Sequence, residues 1–445
     1  MLKKSLFIYA LLGCLIANTG CAKKKVSDEQ QINTYEMLNI FGEVMERAKT
    51  SYVEEVSDQK LIEASINGML TSLDPHSSYL NAEDYKYMSE QTSGKFGGLG
   101  IEITMDNGLV KVISPLDGTP ASKAGIKAGD YITDIEGETV VGLNLDEVVS
   151  RLRGKIGTKV KITIRRVNAK PFTTTLTRAE IKVQSAKSEI KNDDILYIRI
   201  SAFNDYLDEE ITKAVNDAQK KLKNKLSGIV IDVRNNPGGL LDQAVKVSDL
   251  FLEQGEIVST RSRNEEDTIK FSATKGDIAA NLPIVVIINE GSASASEILA
   301  GALQDHHRAV ILGEKSFGKG SVQTVIPLRN HAAMRLTTAR YYTPSGRSIQ
   351  AKGIEPDVVV KQAKIEEYDH SDWNISEASL KGALKNEQND KNKKVTNNDS
   401  AKEKNKDNLK DYQLVRALDL VKALYLYGQN DNLLVTKEKT TESKK

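Results

Sequence analysis

The 445-residue chain is 39% hydrophobic and 28% charged, with a formal net charge of +1. That length exceeds one ordinary core, so two or three domains are expected. The charge balance leaves no electrostatic footprint for nucleic acid, and aromatics at 5% are too scarce for stacking platforms along single strands.

The N-terminus, MLKKSLFIYALLGCLIANTGCAKKK, sets Lys3 and Lys4 before an apolar stretch from Leu6 to Ala17. That length suits a signal peptide over residues 1–22 and falls short of a permanent span. A buried N-terminal helix fits the basic flanks less well. Both cysteines lie here. Cys21, after Thr19 and Gly20, is a candidate for lipid attachment, although Asn18 departs from the pattern three places before it. Cys14, after Leu11-Leu12-Gly13, fits that pattern locally but leaves a short apolar run, and plain cleavage after Ala22 is a third route. From residue 23 onward there is no cysteine, hence no disulfide, thiol chemistry or cysteine-held metal. Export is expected, to the periplasm or the cell membrane, with anchoring through the N-terminus left open.

Residues 30–92 read as an N-terminal helical region. Tyr35, Leu38, Phe41, Met45 and Ala48 recur at helical spacing, Leu61, Ile66 and Met69 continue on a second helix, and Leu73-Asp74-Pro75 stops it. Such a leading bundle serves packing or a dimer surface sooner than chemistry. Residues 94–180 change character. Short β-branched runs at 109–113, 131–135 and 160–166 alternate with turns, and two helical stretches, 121–124 and 145–152, interrupt them, as in a small, partly open β-barrel.

Residues 181–363 hold apolar runs of strand length at 195–200, 229–233, 284–288 and 310–312, separated by helical patterns at 240–252 and 294–304. That is an α/β domain with a mostly parallel sheet. Residues 364–410 turn into Lys, Asn, Asp and Glu and cannot bury a core, which predicts disorder. A final helix is expected over 411–427, where Leu414, Leu418, Val421 and Leu424 form a stripe.

The barrel opens with Phe96-Gly97-Gly98-Leu99-Gly100-Ile101-Glu102-Ile103. A Gly-hydrophobic-Gly-hydrophobic loop entering a strand presents successive N–H groups that can hold a carboxylate, while the strand edge can pair with an extended peptide. With Pro120-Ala121-Ser122-Lys123-Ala124-Gly125-Ile126-Lys127-Ala128-Gly129-Asp130 downstream, the segment resembles a PDZ domain. The resemblance implies that the Leu99, Gly100 and Ile101 amides bind a terminal carboxylate and that the pocket prefers apolar C-terminal residues. A ligand-free glycine hairpin is the plainer reading of the loop alone.

Ser294 lies between an apolar strand and a helix bearing Ile298, Leu299, Ala302 and Leu303 on one face. A strand-to-helix turn lifts a side chain above the sheet and sets helix N-terminal amides where an oxyanion can rest, the Ala295 N–H among them. The same Ser294-Ala295-Ser296-Glu297 run also matches a capping box, in which the serine caps the helix and nothing more. Lys319, 25 residues on and flanked by Gly318 and Gly320, shifts that balance. An exposed lysine titrates near 10.4, so a base near pH 7 must lose roughly three units, about 4 kcal/mol, which desolvation can supply. Gln323 could orient the neutral amine without adding charge. DVRNNPGG at 232–239 ends a strand in a glycine turn whose amides could complete an oxyanion site, or serve only as turn geometry.

Three rival motifs use the same residues. Gly313-x-x-x-x-Gly318-Lys319 nearly spells a phosphate-binding loop, but Gly320 replaces Ser or Thr and the strand-like 322–328 stands where a helix must begin. Ser316-Phe317-Gly318-Lys319 matches S-x-x-K, yet glycines oppose the helix that motif needs and its S-D-N and K-T-G partners do not follow. Asp305 with His306 or His307 lies roughly 15 Å or more along the helix from Ser294, too far for a triad.

The chain resembles the carboxyl-terminal processing (tail-specific) serine peptidases. The matching stretches are SLDPHSSYL at 72–80, the PDZ segment, DVRNNPGG at 232–239, NEGSASASEILAGALQD at 289–305, GEKSFGKGSVQT at 313–324 and YYTPSGRSIQAKGIEPDVVV at 341–360. The resemblance implies an α/β, crotonase-like core with an inserted PDZ β-barrel. It implies Ser294 as nucleophile, Lys319 as base, Gln323 as its assistant, and oxyanion donors from Ala295 and either Gly238 or Gly239. Arg153, in RLRGKIGT, matches an arginine that couples the PDZ domain to the active site. Neither metal nor cofactor is implied. The implied partners are protein substrates engaged by their C-termini, and a homodimer and an activator or adaptor protein are compatible with it. An inactive PDZ scaffold that delivers tails to another protease is the rival class, and the intact Ser294, Lys319 and Gln323 speak against it. An acyl-coenzyme A enzyme of the same broad fold fits neither export nor the PDZ domain.

Overall fold

The protein is described by a computed structural model over residues 28–116, 118–364 and 411–442, with residues 381 and 383. The leader 1–22, with Cys14 and Cys21, and nearly all of the Lys/Asn-rich segment 364–410 lie outside the described residues. One compact unit ends at Pro75 and a second begins at His76. The first contains α1 (Asp28–Ser51) and α2 (Asp58–Thr71). Ser57 caps α2, its side chain accepting the Lys60 N–H at 3.3 Å. The Tyr35, Leu38 and Phe41 stripe on α1 is exposed.

The second unit begins with β1 (Ser78–Leu80), α3 (Ala82–Ser93) and β2 (Lys95–Gly98). The barrel follows as β3 (Ile101–Asp106), β4 (Leu109–Pro115), α4 (Pro120–Lys123), β5 (Tyr131–Ile135), β6 (Glu138–Thr139), α5 (Leu145–Leu152), β7 (Lys159–Arg165), β8 (Phe172–Thr177) and β9 (Ala179–Lys182). The antiparallel sheet runs β3-β4-β5-β7-β8, with β6 on β5, so β3 stands at an edge. Strand alternation sends Val110, Val112, Ile132, Ile162 and Ile164 inward, where they are fully buried with Val148 of α5. Each such side chain contributes roughly 2 kcal/mol. Asn144 and Glu147 form a capping box at the start of α5, each accepting the other's N–H at 2.8–2.9 Å. β2 pairs antiparallel with β9, joining the entry and exit of the barrel.

The remaining chain forms two sheets. Its elements are β10 (Ala186–Lys191), β11 (Ile195–Ile200), α6 (Leu207–Leu222), β12 (Gly228–Asp232), α7 (Leu241–Asp249), β13 (Glu256–Arg261), β14 (Ile269–Ser272), β15 (Ile284–Ile288) and α8 (Ala295–Asp305). They continue with β16 (Ala309–Gly313), β17 (Ser321–Pro327), β18 (Ala333–Tyr342), β19 (Val358–Val359) and α9 (Tyr412–Glu442). The main sheet is ordered β10-β11-β12-β15-β16-β19, parallel from β11 to β19. Its inner strands β11, β12, β15 and β16 are mostly buried on both faces, hence their continuous apolar runs. One face packs Ile198, Ile231 and Val286 against α6, α7 and α8. The other packs Val230, Val285 and Ile287 under Leu414, Ala417, Leu418 and Val421 of α9. The second sheet, β1-β18-β13-β14 with β17 on β18, carries the strands next to the site.

Candidate active site

The fully buried β15 delivers the chain into the 289–294 loop, and Ser294 sits at the start of α8 with φ 58° and ψ −114°. A serine at positive φ costs on the order of 1–3 kcal/mol and persists only where its surroundings impose it. Here the flanking serines impose it. Ser292 Oγ donates to the Val233 carbonyl at 2.8 Å, and Ser296 Oγ donates to the Asn236 carbonyl at 3.0 Å. The Ala293 N–H donates to that same Asn236 carbonyl at 3.0 Å. Ser292 and Ser296 are fully buried, whereas Ser294 is half-buried. Burial and bonding thus separate one presented serine from two structural ones.

In the first turn of α8 the Ser296 and Glu297 N–H groups meet the carbonyls of Ala293 and Ser294. The Ala295 N–H has no acceptor among the described residues, as the first amides of a helix do not. Gly238 packs against this turn: a Cβ there would stand 2.8 Å from Ser294 Cβ and 2.9 Å from Ala295 N, which only glycine avoids. Its own N–H donates to Asn236 Oδ1 at 2.9 Å. The Gly239 N–H has no acceptor among the described residues.

Glu297 joins the two halves of the site. Its carboxylate accepts the Ser294 N–H at 2.9 Å, the Gly318 N–H at 2.7 Å, the Lys319 N–H at 2.9 Å and the Ser316 hydroxyl at 2.5 Å. Glu297 is completely buried. Burial pushes its carboxyl up, and the four donors pull the other way. Sequence reading sees only the capping half of this role, and the capping box is the one signal that singles Glu297 out. Lys319 is half-buried. Burial, joined by the nearby Arg335 charge, holds its ammonium below the ordinary lysine range, while Glu297 acts weakly in the opposite sense. Among the described residues its Nζ makes no hydrogen bond or ion pair, so Oγ of Ser294 and Nζ of Lys319 are not bonded to each other. Gln323 is not joined to Lys319 either: its Nε2 donates to Ser321 Oγ at 2.9 Å and to Thr337 Oγ1 at 3.4 Å.

In the barrel the Leu99 carbonyl accepts the Ala121 N–H, and the Gly100 carbonyl accepts the Leu116 N–H and the Thr119 hydroxyl at 3.2 Å. The N–H groups of Leu99 and Gly100 have no acceptor among the described residues. Gly100 has φ +72°, and an added Cβ would strike Thr119 at 2.4 Å. Ile101 opens the edge strand β3. Arg153, just after α5, pairs with Glu90 of α3 at 3.3 Å and stacks over Phe96 of β2 at 4.1 Å. It therefore spans the barrel and the segment that leads into it.

A parallel sheet delivering a serine to a helix N-terminus, beside a glycine-flanked lysine and a PDZ-type barrel, defines a serine-type peptidase class. Comparisons with known proteins agree. The model for peptidase family S41 matches residues 194–360, a PDZ domain model matches 111–166, and the activating protease CtpB N-terminal domain model matches 7–84. The chain is 50% identical over 390 residues to the carboxy-terminal-processing protease of Bartonella bacilliformis, covering 87% of this chain and 89% of that one. It is 35% identical over 351 residues to the carboxy-terminal processing protease CtpA of Bacillus subtilis, covering 78% and 71% respectively. A solved photosystem II D1 C-terminal processing protease is 29% identical, covering 76% of this chain and 94% of that one, at a TM-score of 0.43. The chain belongs to the carboxy-terminal-processing serine peptidases of family S41.

Proposed function

We propose that this peptidase is an endopeptidase working through a Ser294–Lys319 dyad, and that its PDZ domain selects proteins by their apolar C-terminal tails. The observation that carries the dyad is the Glu297 carboxylate, which accepts the backbone N–H of both residues and fixes them side by side. The neutral lysine takes the Ser294 proton on Nζ as Oγ attacks the peptide carbonyl. The oxyanion rests on the Ala295 N–H and an N–H of the Gly238–Gly239 pair, of which the Gly239 N–H is the open one. The lysine proton then passes to the leaving nitrogen as the C–N bond breaks, leaving an ester on Ser294. Lys319 next takes a proton from water as its oxygen attacks the ester, and returns that proton to Ser294 Oγ as the acyl–oxygen bond breaks and the new C-terminus is released.

Gln323 assists in this scheme once its amide leaves Ser321 and Thr337, and Arg153 communicates tail binding through Glu90 and Phe96. The open amides of Leu99 and Gly100 and the edge of β3 support capture of a carboxylate and an extended tail. The basic, apolar leader supports export to the periplasm or the cell membrane, with Cys21 as the lipid site if the leader is lipidated. The test is cleavage of an unfolded protein ending in apolar residues, with its terminal carboxylate free or amidated. Cleavage that needs Ser294 and Lys319 and slows on amidation is expected. Equal rates for both substrates would remove the tail-recognition half of the scheme.

A further inference from the structure

The hydroxyl of Tyr341 has no role in the reading above, yet it bonds directly to the backbone of Lys319. Tyr341, near the end of β18, is 2% exposed. Its hydroxyl donates to the Lys319 carbonyl, and its N–H donates to the Gly320 carbonyl at 2.9 Å. Lys319 is thereby held on both sides of its backbone: Glu297 takes the N–H at 2.9 Å and Tyr341 the C=O. Gln350 completes the frame by accepting the Gly320 N–H at 3.0 Å. Burial raises the phenol well above its ordinary range, the nearby Ser294 side chain works against that rise, and the Glu297 charge adds to it. The group stays protonated near neutrality and serves as a donor, not as a base.

We propose that Tyr341 is a positioning residue of this peptidase, whose hydroxyl and N–H hold the Lys319 and Gly320 carbonyls and so keep the lysine amine desolvated beside its nucleophile. Without that hydroxyl a part-buried carbonyl loses its donor and the base loop admits water. Lys319 then moves back toward the ordinary lysine range and becomes more fully protonated. The inference rests on the Ser294–Lys319 reading.

Tyr341→Phe removes only the oxygen and keeps the ring in the core. In the full chain, we expect kcat to fall about tenfold or more with KM nearly unchanged. The rate at which a fluorophosphonate labels Ser294 should fall in parallel. The acid limb of the pH–rate profile should shift to higher pH, because the base is then harder to deprotonate. A wild-type kcat and acid limb in Tyr341→Phe would overturn the proposal. So would an activity loss that merely follows the folded fraction, measured by circular dichroism, with the acid limb unmoved. Ser294→Ala and Lys319→Ala run alongside: activity surviving in either would overturn the dyad itself, a result separable from the behaviour of Tyr341→Phe.

Discussion

The barrel and the α/β domain each build a glycine-bearing loop that leaves N–H groups open, and they hold it in opposite ways. The 97–101 loop of the barrel is held mostly by backbone groups: the Leu99 carbonyl accepts the Ala121 N–H, and the Gly100 carbonyl accepts the Leu116 N–H and the Thr119 hydroxyl. The loops of the candidate site are strapped by buried side chains. Glu297 binds the 316–319 segment, Ser292 and Ser296 bind the 233–236 segment, and Tyr341 binds Lys319. A binding loop can yield to its ligand, whereas a catalytic pair must keep its geometry through a reaction, and cross-bracing in a low-dielectric interior supplies that rigidity.

The sharpest break between the two regions is functional. Ser294→Ala and Lys319→Ala should each lower cleavage by about 10⁴ or more, while a fluorescent apolar-tailed peptide binds the barrel with unchanged affinity. Tail binding lost together with cleavage would show that the two regions are not separable. Next comes the strap itself. Glu297→Gln keeps the shape of the side chain but replaces one acceptor oxygen with a donor group facing N–H donors. We expect kcat to fall about 100-fold, with stability reduced by about 1–3 kcal/mol in urea titration.

A smaller effect is expected at the rear of the sheet. Arg234 forks onto Asp411 at 2.6 and 2.8 Å and onto Asp232 at 2.6 and 3.0 Å, tying α9 to the strand that leads into the Gly238–Gly239 turn. Asp411→Ala leaves that guanidinium with Asp232 as its one charged partner among the described residues and should cost about 2 kcal/mol in thermal unfolding. Burial works against the Asp411 charge, and the Arg234 hydrogen bonds and charge more than offset it, holding the carboxyl below its ordinary range. Its stabilisation is therefore present above about pH 4 and fades as pH falls through the lower folded value. The mildest test returns to the barrel. Gly100→Ala forces a Cβ into Thr119 at positive φ and should weaken tail binding about tenfold. It should leave labelling of Ser294 by a fluorophosphonate unchanged.

The same contrast explains what could be read from the amino-acid order. The barrel was legible because its signals are local: Phe96–Ile103, the Pro120–Asp130 stretch and the alternating runs lie next to the elements they specify. The buried strands β11, β12, β15 and β16 were legible as continuous apolar runs. α6 carries a helical signal in Leu207, Ile211, Val215 and Ala218, β13 buries polar Ser259 and Thr260 beside its apolar residues, and β14 and β18 mix polar and apolar residues on partly exposed faces. At the site, Ser294 and Lys319 stood out by their turn and their glycines. Glu297 looked like a cap, and Tyr341 was one of many residues in a matched stretch, because their partners lie 19–22 residues away in sequence. A two-partner bridge has no spacing rule that a single chain displays. The short spacing from Lys319 to Gln323 suggests a direct partnership, whereas the folded strand turns the Gln323 amide toward Ser321 and Thr337.

The central claim is that this site holds a lysine neutral enough to act as a base beside Ser294. The most direct measurement is the titration of Lys319 Nζ by NMR in the full chain, assigned by comparison with Lys319→Arg. Burial and the Arg335 charge predict a midpoint below the ordinary lysine range, coincident with the acid limb of kcat/KM. An ordinary lysine midpoint, with an acid limb that titrates elsewhere, would contradict the dyad.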